Sequence, residues 1–339
     1  MTVDSFFRSV WNSRNPVALL LWPVSLIYCA IVSLRRVAYA SGLCPISRFS
    51  EPIIAVGNIT VGGTGKTPFT IWLANYLSEY GFRPGVVSRG YGRRNISDTL
   101  MVRSDSNPDE VGDEPLVIAQ RAQVPVAVAK KRSDAVRMLL ERTDCDIFVC
   151  DDALQHHSLA VDLSIALVDA KARFGNGFCL PAGPLREPAG RLDSVALKLV
   201  KGAGRSDENA MRYEIAQLVN VRDNGNRRTV EYLKGQRITA VAGIADPDSF
   251  FDMLLNLGVE LTRVPFPDHH QFTERDFDSI DQDNVTVVMT EKDAVKCRGF
   301  ARDNWWYVAI DATVSDQFVV TLADKLSVWK KTSFHPENP

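Results

Sequence analysis

The chain has 339 residues, of which 45% are apolar and 24% are charged, and its formal net charge at pH 7 is −2. This length suggests about two domains, and the composition excludes a disordered, collagenous or multi-span membrane protein. The balanced charge disfavours a nucleic-acid-binding protein, which would carry a strongly basic domain. The six cysteines are scattered without a CxxC pair, which favours reduced cytosolic thiols over a disulfide framework.

The first predicted element is a hydrophobic helix. Residues 15–34 carry no charge, and a helix of that length would rise about 30 Å, the thickness of a bilayer's hydrocarbon core. Three interpretations fit: a core helix of a soluble domain, a signal peptide cleaved after Ala38-Tyr39-Ala40, and a permanent anchor that spans or lies in the membrane. We favour an uncleaved anchor over residues 1–40, because the motif that follows it needs ATP, which is supplied in the cytosol.

Beyond residue 50, short apolar runs alternate with amphipathic stretches, a pattern typical of strands alternating with helices. A continuous apolar run such as Ile147–Cys150 indicates a buried parallel strand. We therefore predict a doubly wound parallel α/β domain over residues 41–212. Its predicted elements are strands Ile53–Val56, Gly85–Val87, Val124–Val128, Ile147–Cys150, Leu163–Val168 and Val195–Val200, with helices Pro68–Tyr80, Glu114–Ala122 and Ser133–Glu141.

The pattern changes after this domain. Two strand-like runs, Tyr213–Val221 and Arg228–Leu233, flank an Asp-Asn-Gly turn, which predicts a two-stranded hairpin linker over residues 213–236. A smaller α/β domain is predicted over residues 237–339, and its last helix is expected to pack back on the first domain. Its predicted elements are strand Ile238–Ala242, helix Asp248–Leu257, strands Val285–Met289 and Trp305–Ile310, and helix Asp316–Trp329.

A phosphate-binding loop follows the first predicted strand. Glycines allow consecutive backbone N–H groups to face phosphate oxygens, and the following helix N-terminus adds partial positive charge. We expect Lys66 to reach the β- and γ-phosphates of ATP, and the Thr67 hydroxyl to join a Mg²⁺ shell. The strict P-loop pattern is not met, because Thr60 stands where its first glycine belongs. The predicted loop consists of Thr60, Val61, Gly62, Gly63, Thr64, Gly65, Lys66 and Thr67.

Two further groups of residues carry candidate chemistry. Asp151 and Asp152 follow a buried strand, as the Mg²⁺-holding carboxylate of a P-loop protein does; alternatively, they cap a helix. Asp113 lies where a helix is predicted to begin, so capping also accounts for it. Four of the five histidines stand in two pairs, His156-His157 and His269-His270, which favours a functional role for an imidazole with a near-neutral pKa.

Seven blocks of sequence together resemble the tetraacyldisaccharide 4′-kinase family, the lipid A kinases of Gram-negative bacteria, over essentially the whole chain. They are far more specific together than the P-loop alone. The blocks are Gly57-Asn58 with Gly62–Thr67, Ser88-Arg89-Gly90-Tyr91-Gly92, Gly112-Asp113-Glu114-Pro115, Asp151-Asp152-Ala153-Leu154-Gln155-His156, Gly183-Pro184-Leu185-Arg186-Glu187, Asp268-His269-His270 and Thr290-Glu291-Lys292-Asp293.

The resemblance implies transfer of the ATP γ-phosphoryl group to the 4′-hydroxyl of a tetraacylated glucosamine disaccharide 1-phosphate. It also implies work at the cytoplasmic face of the bacterial inner membrane, with no nucleic acid and no obligatory protein partner. An Asp–His dyad that activates the hydroxyl is carried over to Asp113 and His269, which are expected to meet between the two predicted domains.

The remaining roles implied by the resemblance concern the phosphates. Arg186 would stabilise phosphoryl charge, and Gln155 and His156 would lie near the phosphates. Ser88–Gly92 would bind substrate phosphate or order the cleft. Adjacent Lys292 and Asp293 lack the spacing of the base-reading loop of GTPases, so guanine specificity does not follow. The predicted Mg²⁺ ligands are Thr67, Asp151, Asp152 and Glu187.

Two other classes of function fit the P-loop. A membrane-associated regulatory P-loop ATPase would need no acceptor site, and a membrane-anchored nucleotide-binding scaffold would bind ATP without turnover. ATP turnover that depends on an acylated disaccharide would separate the kinase from both.

Overall fold

A computed structural model describes residues 9–203, 205, 208–280 and 285–332 of the chain. The chain forms two compact units, each made of segments that are distant in sequence. Unit 1 comprises residues 1–66, 146–212 and 313–339, and unit 2 comprises residues 67–145 and 213–312; residues 1–8 and 333–339 lie outside the described part. The domain boundaries at residues 40, 212 and 236 stay predictions.

Unit 1 contains a parallel sheet of strands β1 (Ile53–Gly57), β5 (Ile147–Cys150), β6 (Leu163–Asp169) and β7 (Leu197–Lys201). Their order in the sheet is β5-β1-β6-β7, and the first residues of strand β8 (Ala210–Asn220) lie beside β7. Its central strand is buried along its whole length, because neighbouring strands and packed layers cover both of its faces. Phe318, Leu322 and Leu326 of the last helix are fully buried. The helices of unit 1 are α1 Pro16–Ala40 and α8 Asp316–Thr332.

Helix α1 begins at an Asn15 cap and continues through Pro23 to Ala40. One side of it is held against unit 1. The Ser25 hydroxyl donates to the Cys179 carbonyl at 2.8 Å, and the Tyr28 hydroxyl donates to the Arg186 carbonyl at 3.0 Å. Among the described residues, α1 is the one helix long and apolar enough to cross a membrane.

Unit 2 contains two groups of strands. Strands β2 and β4 are parallel, with β3 antiparallel at the edge, and β11-β10-β12-β13 form a parallel group. The helices are α2 Lys66–Glu79, α3 Pro108–Val111, α4 Asp113–Ala122, α5 Arg132–Arg142, α6 Pro247–Leu255 and α7 Glu291–Cys297. The strands are β2 Pro84–Ser88, β3 Leu100–Val102, β4 Val126–Val128, β8 Ala210–Asn220, β9 Arg227–Arg228, β10 Arg237–Ala242, β11 Glu260–Pro265, β12 Thr286–Thr290 and β13 Trp305–Val314. Helix α2 begins at the last residue of unit 1, and strand β8 begins in unit 1.

Most predicted elements form, and the α/β class with parallel strands is confirmed. The hairpin also forms, with Leu218 opposite Arg228. Its second arm is shorter than predicted, because Val230–Leu233 coil into a 3-10 turn. Strands β3 and β11 were not predicted; β11 is mostly exposed, so it lacks the apolar signal of a buried strand.

Helices α4 and α7 pack against each other in unit 2. Each helix begins beside a residue block identified in the sequence: α4 begins at Asp113 and α7 follows Thr290. This packing brings together side chains that are more than 170 residues apart in the chain.

Candidate active site

The phosphate-binding loop of unit 1 leaves the buried strand β1 and leads into helix α2. Gly62 and Gly65 have φ angles of 109° and 75°, a region that favours glycine because a Cβ atom would clash with the backbone. The loop can therefore turn its N–H groups inward, as phosphate binding requires.

Lys66 lies at the end of this loop with its side chain only 10% exposed. Its ammonium group lies 3.4 Å from the Asn58 side-chain oxygen and 3.4 Å from a carboxylate oxygen of Asp152. Thr67 follows in the first turn of α2 and is buried. Asn58, which is fully buried, was not predicted as a site residue, although it lies two positions before the loop in one of the family's sequence blocks.

Asp151 and Asp152 follow β5, the neighbour of β1 in the sheet of unit 1. Gly57 permits the close approach of this segment, since a Cβ atom at Gly57 would lie 2.8 Å from Leu154 Cγ. Asp151 is buried, whereas Asp152 turns towards Lys66. Two carboxylates thus lie at the carboxyl edge of a parallel sheet, where α/β proteins bind ligands.

The Gly183–Glu187 segment runs alongside the phosphate-binding loop. The Val61 N–H donates to the Pro184 carbonyl at 2.8 Å, and the Arg186 N–H donates to the Ile59 carbonyl at 2.7 Å. The Arg186 guanidinium lies 3.1 Å from Asp152. Lys66 and Arg186 therefore converge on one carboxylate, which balances part of their positive charge until a phosphate is bound.

Gln155 and Glu187 form a second connection beneath this loop. The Gln155 amide donates to the Asn58 carbonyl and to a Glu187 carboxylate oxygen, both at 2.9 Å. Glu187 is almost fully buried and also lies 3.4 Å from Arg191. His156 contacts Ser158 at 3.2 Å and lines a cavity of about 230 Å³ next to helix α1; its place near the phosphates stays a prediction.

Among the described residues, no three His, Cys, Asp or Glu side chains form a cluster that could hold a metal ion by themselves. Mg²⁺ does not require such a cluster, since it usually keeps several waters and takes one or two carboxylates together with phosphate oxygens. The oxygen ligands available at the loop, carboxylates and a hydroxyl, are of the kind that Mg²⁺ prefers.

Asp113 and His269 contact each other inside unit 2. His269 Nδ1 lies 3.1 Å from Asp113 Oδ2, and the other Asp113 oxygen accepts the Glu114 N–H at 2.9 Å. Asp113 is 6% exposed. One Asp113 oxygen therefore makes a local contact at the helix N-terminus, as a capping residue would. The other oxygen faces an imidazole, a contact that capping does not require.

The backbone around His269 sets the direction of its ring. His269 has a φ of 58°, and its N–H donates to the Gly243 carbonyl at 3.1 Å. His270 points elsewhere: its ring stacks on Phe266 and lies 3.3 Å from Asp276. His269, and not His270, is thus the histidine that faces Asp113.

The charges around this pair favour an ionised carboxylate beside a basic imidazole. Burial alone would raise the pKa of Asp113, but the hydrogen bond from His269 and the ammonium groups of Lys292 and Lys296 hold it well below its usual range. The hydrogen bond to Asp113 raises the pKa of His269 above its ordinary value, against the opposing effect of burial. Lys292 is paired in turn with Glu114.

Tyr91, from the Ser88–Gly92 block, contacts the other side of the imidazole. Its ring centroid lies 4.9 Å from that of His269, and the side chain remains 65% exposed. Gly90 has no room for a Cβ atom, which would lie 2.6 Å from the Val111 carbonyl oxygen. The sequence block contains Tyr91, but its contact with His269 depends on tertiary packing.

Together, the α/β fold and the glycine-rich loop with its lysine define a nucleotide-binding protein of the P-loop class. The family model for tetraacyldisaccharide-1-P 4′-kinase matches residues 17–327. The chain belongs to this family, and the resemblance found in its sequence blocks is thereby confirmed.

Curated relatives and a solved structure agree with this assignment. The chain is 44% identical to the tetraacyldisaccharide 4′-kinase of Pseudomonas putida, over 91% of this chain and 93% of that protein. It is 42% identical to the Haemophilus influenzae protein of the same name, over 90% and 91%. A crystal structure of LpxK from Aquifex aeolicus in complex with ATP matches with a TM-score of 0.75 and 28% identity, covering 90% of this chain and 98% of that one.

Proposed function

We propose that this chain transfers the γ-phosphoryl group of ATP to the 4′-hydroxyl of a tetraacylated glucosamine disaccharide 1-phosphate, a step of lipid A biosynthesis. The observation that carries the proposal is the contact between His269 and Asp113, at 3.1 Å. A P-loop alone suits an ATPase equally well, whereas a kinase needs a group that accepts the proton of an attacking hydroxyl.

The geometry of the pair suggests how the proton moves. If Nδ1–H donates to Asp113, Nε2 carries the lone pair that faces an acceptor hydroxyl. The hydroxyl oxygen then attacks the γ-phosphorus, the bond to the β-phosphate oxygen breaks, and the hydroxyl proton passes to Nε2. Asp113 stabilises the resulting imidazolium, consistent with the raised pKa of His269.

Residues of the glycine-rich loop and of the segments after β5 and around Glu187 are proposed to bind the phosphates. The loop from Thr60 to Thr67 would cradle them with backbone N–H groups, and Lys66 and Arg186 would stabilise the charge of the transferring group. Thr67, Asp151, Asp152 and Glu187 are proposed to hold Mg²⁺ directly or through water. When bound, Mg²⁺ would neutralise phosphate charge.

The N-terminal helix is proposed to bind the chain to the cytoplasmic face of the bacterial inner membrane. Leu20, Ile27, Ile31 and Leu34 follow helical spacing and are 60–79% exposed, so they form an apolar stripe. The opposite side of α1 carries Ser25 and its bond to unit 1. Because one side is held by protein, we infer that α1 lies in the membrane interface with the stripe facing lipid.

A vesicle-binding measurement tests this arrangement. Replacing Leu20 and Leu34 by Glu should weaken sedimentation with anionic vesicles by at least about tenfold, since burying one leucine side chain contributes roughly 1.5–3 kcal/mol. The matched control replaces Val320 and Val328 by Glu. Both are exposed apolar residues of α8 in the same unit, and this variant should bind vesicles as the unaltered chain does. Equal losses in both variants would refute the stripe as the membrane-binding surface.

The reaction is tested with labelled ATP and the acylated disaccharide 1-phosphate in mixed micelles. We expect a labelled lipid whose phosphate is at the 4′ position, and no labelling of an acceptor that lacks the 4′-hydroxyl. If ATP is hydrolysed at the same rate with and without the acceptor and no labelled lipid forms, the result would instead support the regulatory ATPase. The proposal requires no nucleic acid and no protein partner.

A further inference from the structure

A buried ion pair between Asp293 and Lys296 lies on helix α7, next to the Asp113–His269 contact in unit 2. Asp293 is fully buried and the Lys296 side chain is only 5% exposed. Asp293 Oδ1 and Lys296 Nζ lie 2.9 Å apart, one turn from each other on helix α7. The phosphoryl transfer proposed above uses neither residue.

Asp293 connects helix α7 to the backbone that carries His269. Its Oδ2 atom accepts the Gly243 N–H at 2.8 Å, and the carbonyl of Gly243 accepts the His269 N–H at 3.1 Å. The fit is close, because a Cβ atom at Gly243 would lie 3.1 Å from Asp293 and 3.3 Å from the Pro267 carbonyl oxygen. One residue, Gly243, therefore joins the buried carboxylate to the proposed catalytic histidine through its N–H and its carbonyl.

Lys296 connects the same helix to the other member of the dyad. Its Nζ atom lies 3.9 Å from Asp113 Oδ2, the oxygen that also faces His269. The ammonium group also lies 5.0 Å from the centre of the Phe272 ring, at a distance where a cation is attracted to the ring face. The lysine is thus held between two carboxylates and an aromatic ring.

Stability alone gives a poor account of this pair. A buried ion pair can often be replaced by well-packed apolar residues without loss, since removing both charges from water costs about as much as their attraction returns. Capping of α7 does not need the Asp293 carboxylate either, because the Thr290 hydroxyl accepts the Asp293 N–H at 3.2 Å. The carboxylate instead accepts from Gly243 and, at 2.7 Å, from the Thr290 hydroxyl.

We propose that Asp293 and Lys296 are positioning residues for the phosphoryl transfer: Asp293 fixes the backbone of His269 through Gly243, and Lys296 fixes Asp113. The inference rests on the proposed function and assigns a task to Asp293, the last residue of the Thr290–Asp293 block, and to Lys296 one turn further on. Small displacements of a reacting group are costly, since an error of about 1 Å can reduce a rate by roughly 10²-fold.

The test compares Lys296→Met with Glu291→Gln in the full-length chain. Methionine keeps an unbranched stem against Phe272 and removes only the charge. Glu291 is on the same helix and pairs with Arg121 at 2.8 Å. Neither proposed positioning role involves Glu291, and glutamine keeps its size and an oxygen that can accept from Arg121. We expect Lys296→Met to lower kcat by about 10–100-fold with KM for ATP within about twofold, and Glu291→Gln to leave both unchanged.

Two further variants address Asp293. Asp293→Asn puts an amide N–H₂ or a neutral oxygen against the Gly243 N–H. Thr290→Val keeps the side-chain shape but removes the hydroxyl that donates to the Asp293 carboxylate and caps α7, so its melting temperature is measured beside kcat. Both should lower kcat in the same way, and adding Lys296→Met to either should cost little more, because residues that act as a unit are not additive. If Asp293→Asn does not fold, Thr290→Val and Lys296→Met decide the question.

A spectroscopic measurement separates this inference from the proposed function. His269 is one of only five histidines, and its ring signals can be assigned in NMR spectra by comparison with His269→Gln. We expect a hydrogen-bonded Nδ1 proton in the unaltered chain, and its loss or broadening in Lys296→Met and Thr290→Val.

Folded variants with unchanged ring signals and kcat within twofold of the unaltered chain would overturn the positioning roles. So would an equal loss of kcat in Glu291→Gln. Absence of lipid phosphorylation by the unaltered chain would overturn the proposed function instead, and the NMR comparison would still decide whether Asp293 and Lys296 position His269.

Discussion

The phosphate-binding region of unit 1 and the Asp113–His269 region of unit 2 are built in opposite ways. The first is centred on a short stretch, Thr60 to Thr67, that follows one strand and leads into one helix. The second joins Asp113 to His269, 156 positions further along the chain. Local backbone geometry largely fixes the first region, whereas the second depends on how α4 packs against the segment that follows β11.

This difference affects how each region responds to change. A strand, a glycine-rich turn and a helix N-terminus bind phosphate mainly through backbone groups, so most side-chain changes elsewhere leave that ability intact. The dyad is made of side chains supported by Gly243, Lys292 and Lys296. Substitutions that never contact a substrate can therefore change the geometry of this pair.

The largest expected effect comes from breaking the dyad. Asp113→Asn and His269→Gln should each lower kcat by about 10²–10⁴-fold, the usual contribution of a positioned acid or base, with little change in ATP affinity. The double variant should be little worse than the poorer single variant. Single-turnover kinetics with the acylated acceptor measure this. Losses that multiply, or an active Asp113→Asn protein with a lowered melting temperature, would indicate a helix cap instead.

The second largest effect is expected from Lys66, in the phosphate-binding region of unit 1. Lys66→Ala removes a charge proposed to stabilise the transferring phosphoryl group and should lower kcat by about 10²–10³-fold. The control is Lys198→Ala, a half-exposed lysine of the same unit that lies 4.0 Å from Asp193, which should retain full activity. Turnover of Lys66→Ala within a few-fold of the unaltered chain would contradict the assignment of the loop.

A smaller effect tests whether local fit really controls the phosphate-binding region. Gly57→Ala places a methyl group 2.8 Å from Leu154 Cγ, and such overpacking costs about 1–3 kcal/mol of unfolding free energy. Gly190→Ala, also in unit 1, meets nothing closer than 3.9 Å and should be nearly neutral. Urea unfolding measures both, and addition of Leu154→Ala should lessen the effect of Gly57→Ala if the clash is its cause.

The smallest effect concerns pH, because a shift of one pKa unit is worth only about 1.4 kcal/mol. The folded pKa of His269 is raised above 6.5, so its contribution to stability is complete below pH 6.5 and is lost as pH rises through the folded value. The pKa of Asp113 is lowered from 3.8, so its contribution is present above that pH and is lost in acid.

His269→Gln should therefore destabilise the protein more at pH 6 than at pH 9, as measured by urea unfolding. The control is His157→Gln. Burial lowers the pKa of His157, although Glu187 opposes this, so its substitution should show the opposite pH dependence. A pH-independent cost for His269→Gln would show that the imidazole gains no stabilisation from the Asp113 carboxylate.

The sequence predicted the strand, glycine-rich loop and helix around Thr60–Thr67 well, and the contact between Asp113 and His269 in part. Gly62 to Thr67 could be recognised because strand, glycines, lysine and helix follow one another directly, so their contacts are local. Asp113 and His269 could be selected only through a family resemblance, and the choice between His269 and His270 had no support in spacing. Packing separates these two histidines, since His270 stacks on Phe266 while His269 faces Asp113.

Other features lay beyond sequence reasoning. The exposed edge strand β11 has no apolar pattern, and the contact of His156 with Ser158 was not predicted. The assignment of Asp293 and Lys296 to a buried pair next to Asp113 depends on the α4–α7 contact. Charged residues on a helix are usually solvated, so nothing in their spacing indicated burial.

By itself, the sequence determined the α/β fold class, the glycine-rich loop between strand and helix, the apolar N-terminal helix and the family, because each rests on residues adjacent in the chain or on ordered motifs. The tertiary structure alone decided which histidine meets Asp113, which side of α1 remains exposed, and how Asp293 is tied to His269 through Gly243. The physical reason is that these contacts join distant segments. Their geometry follows from the packing of helices and strands, which no local pattern of residues specifies.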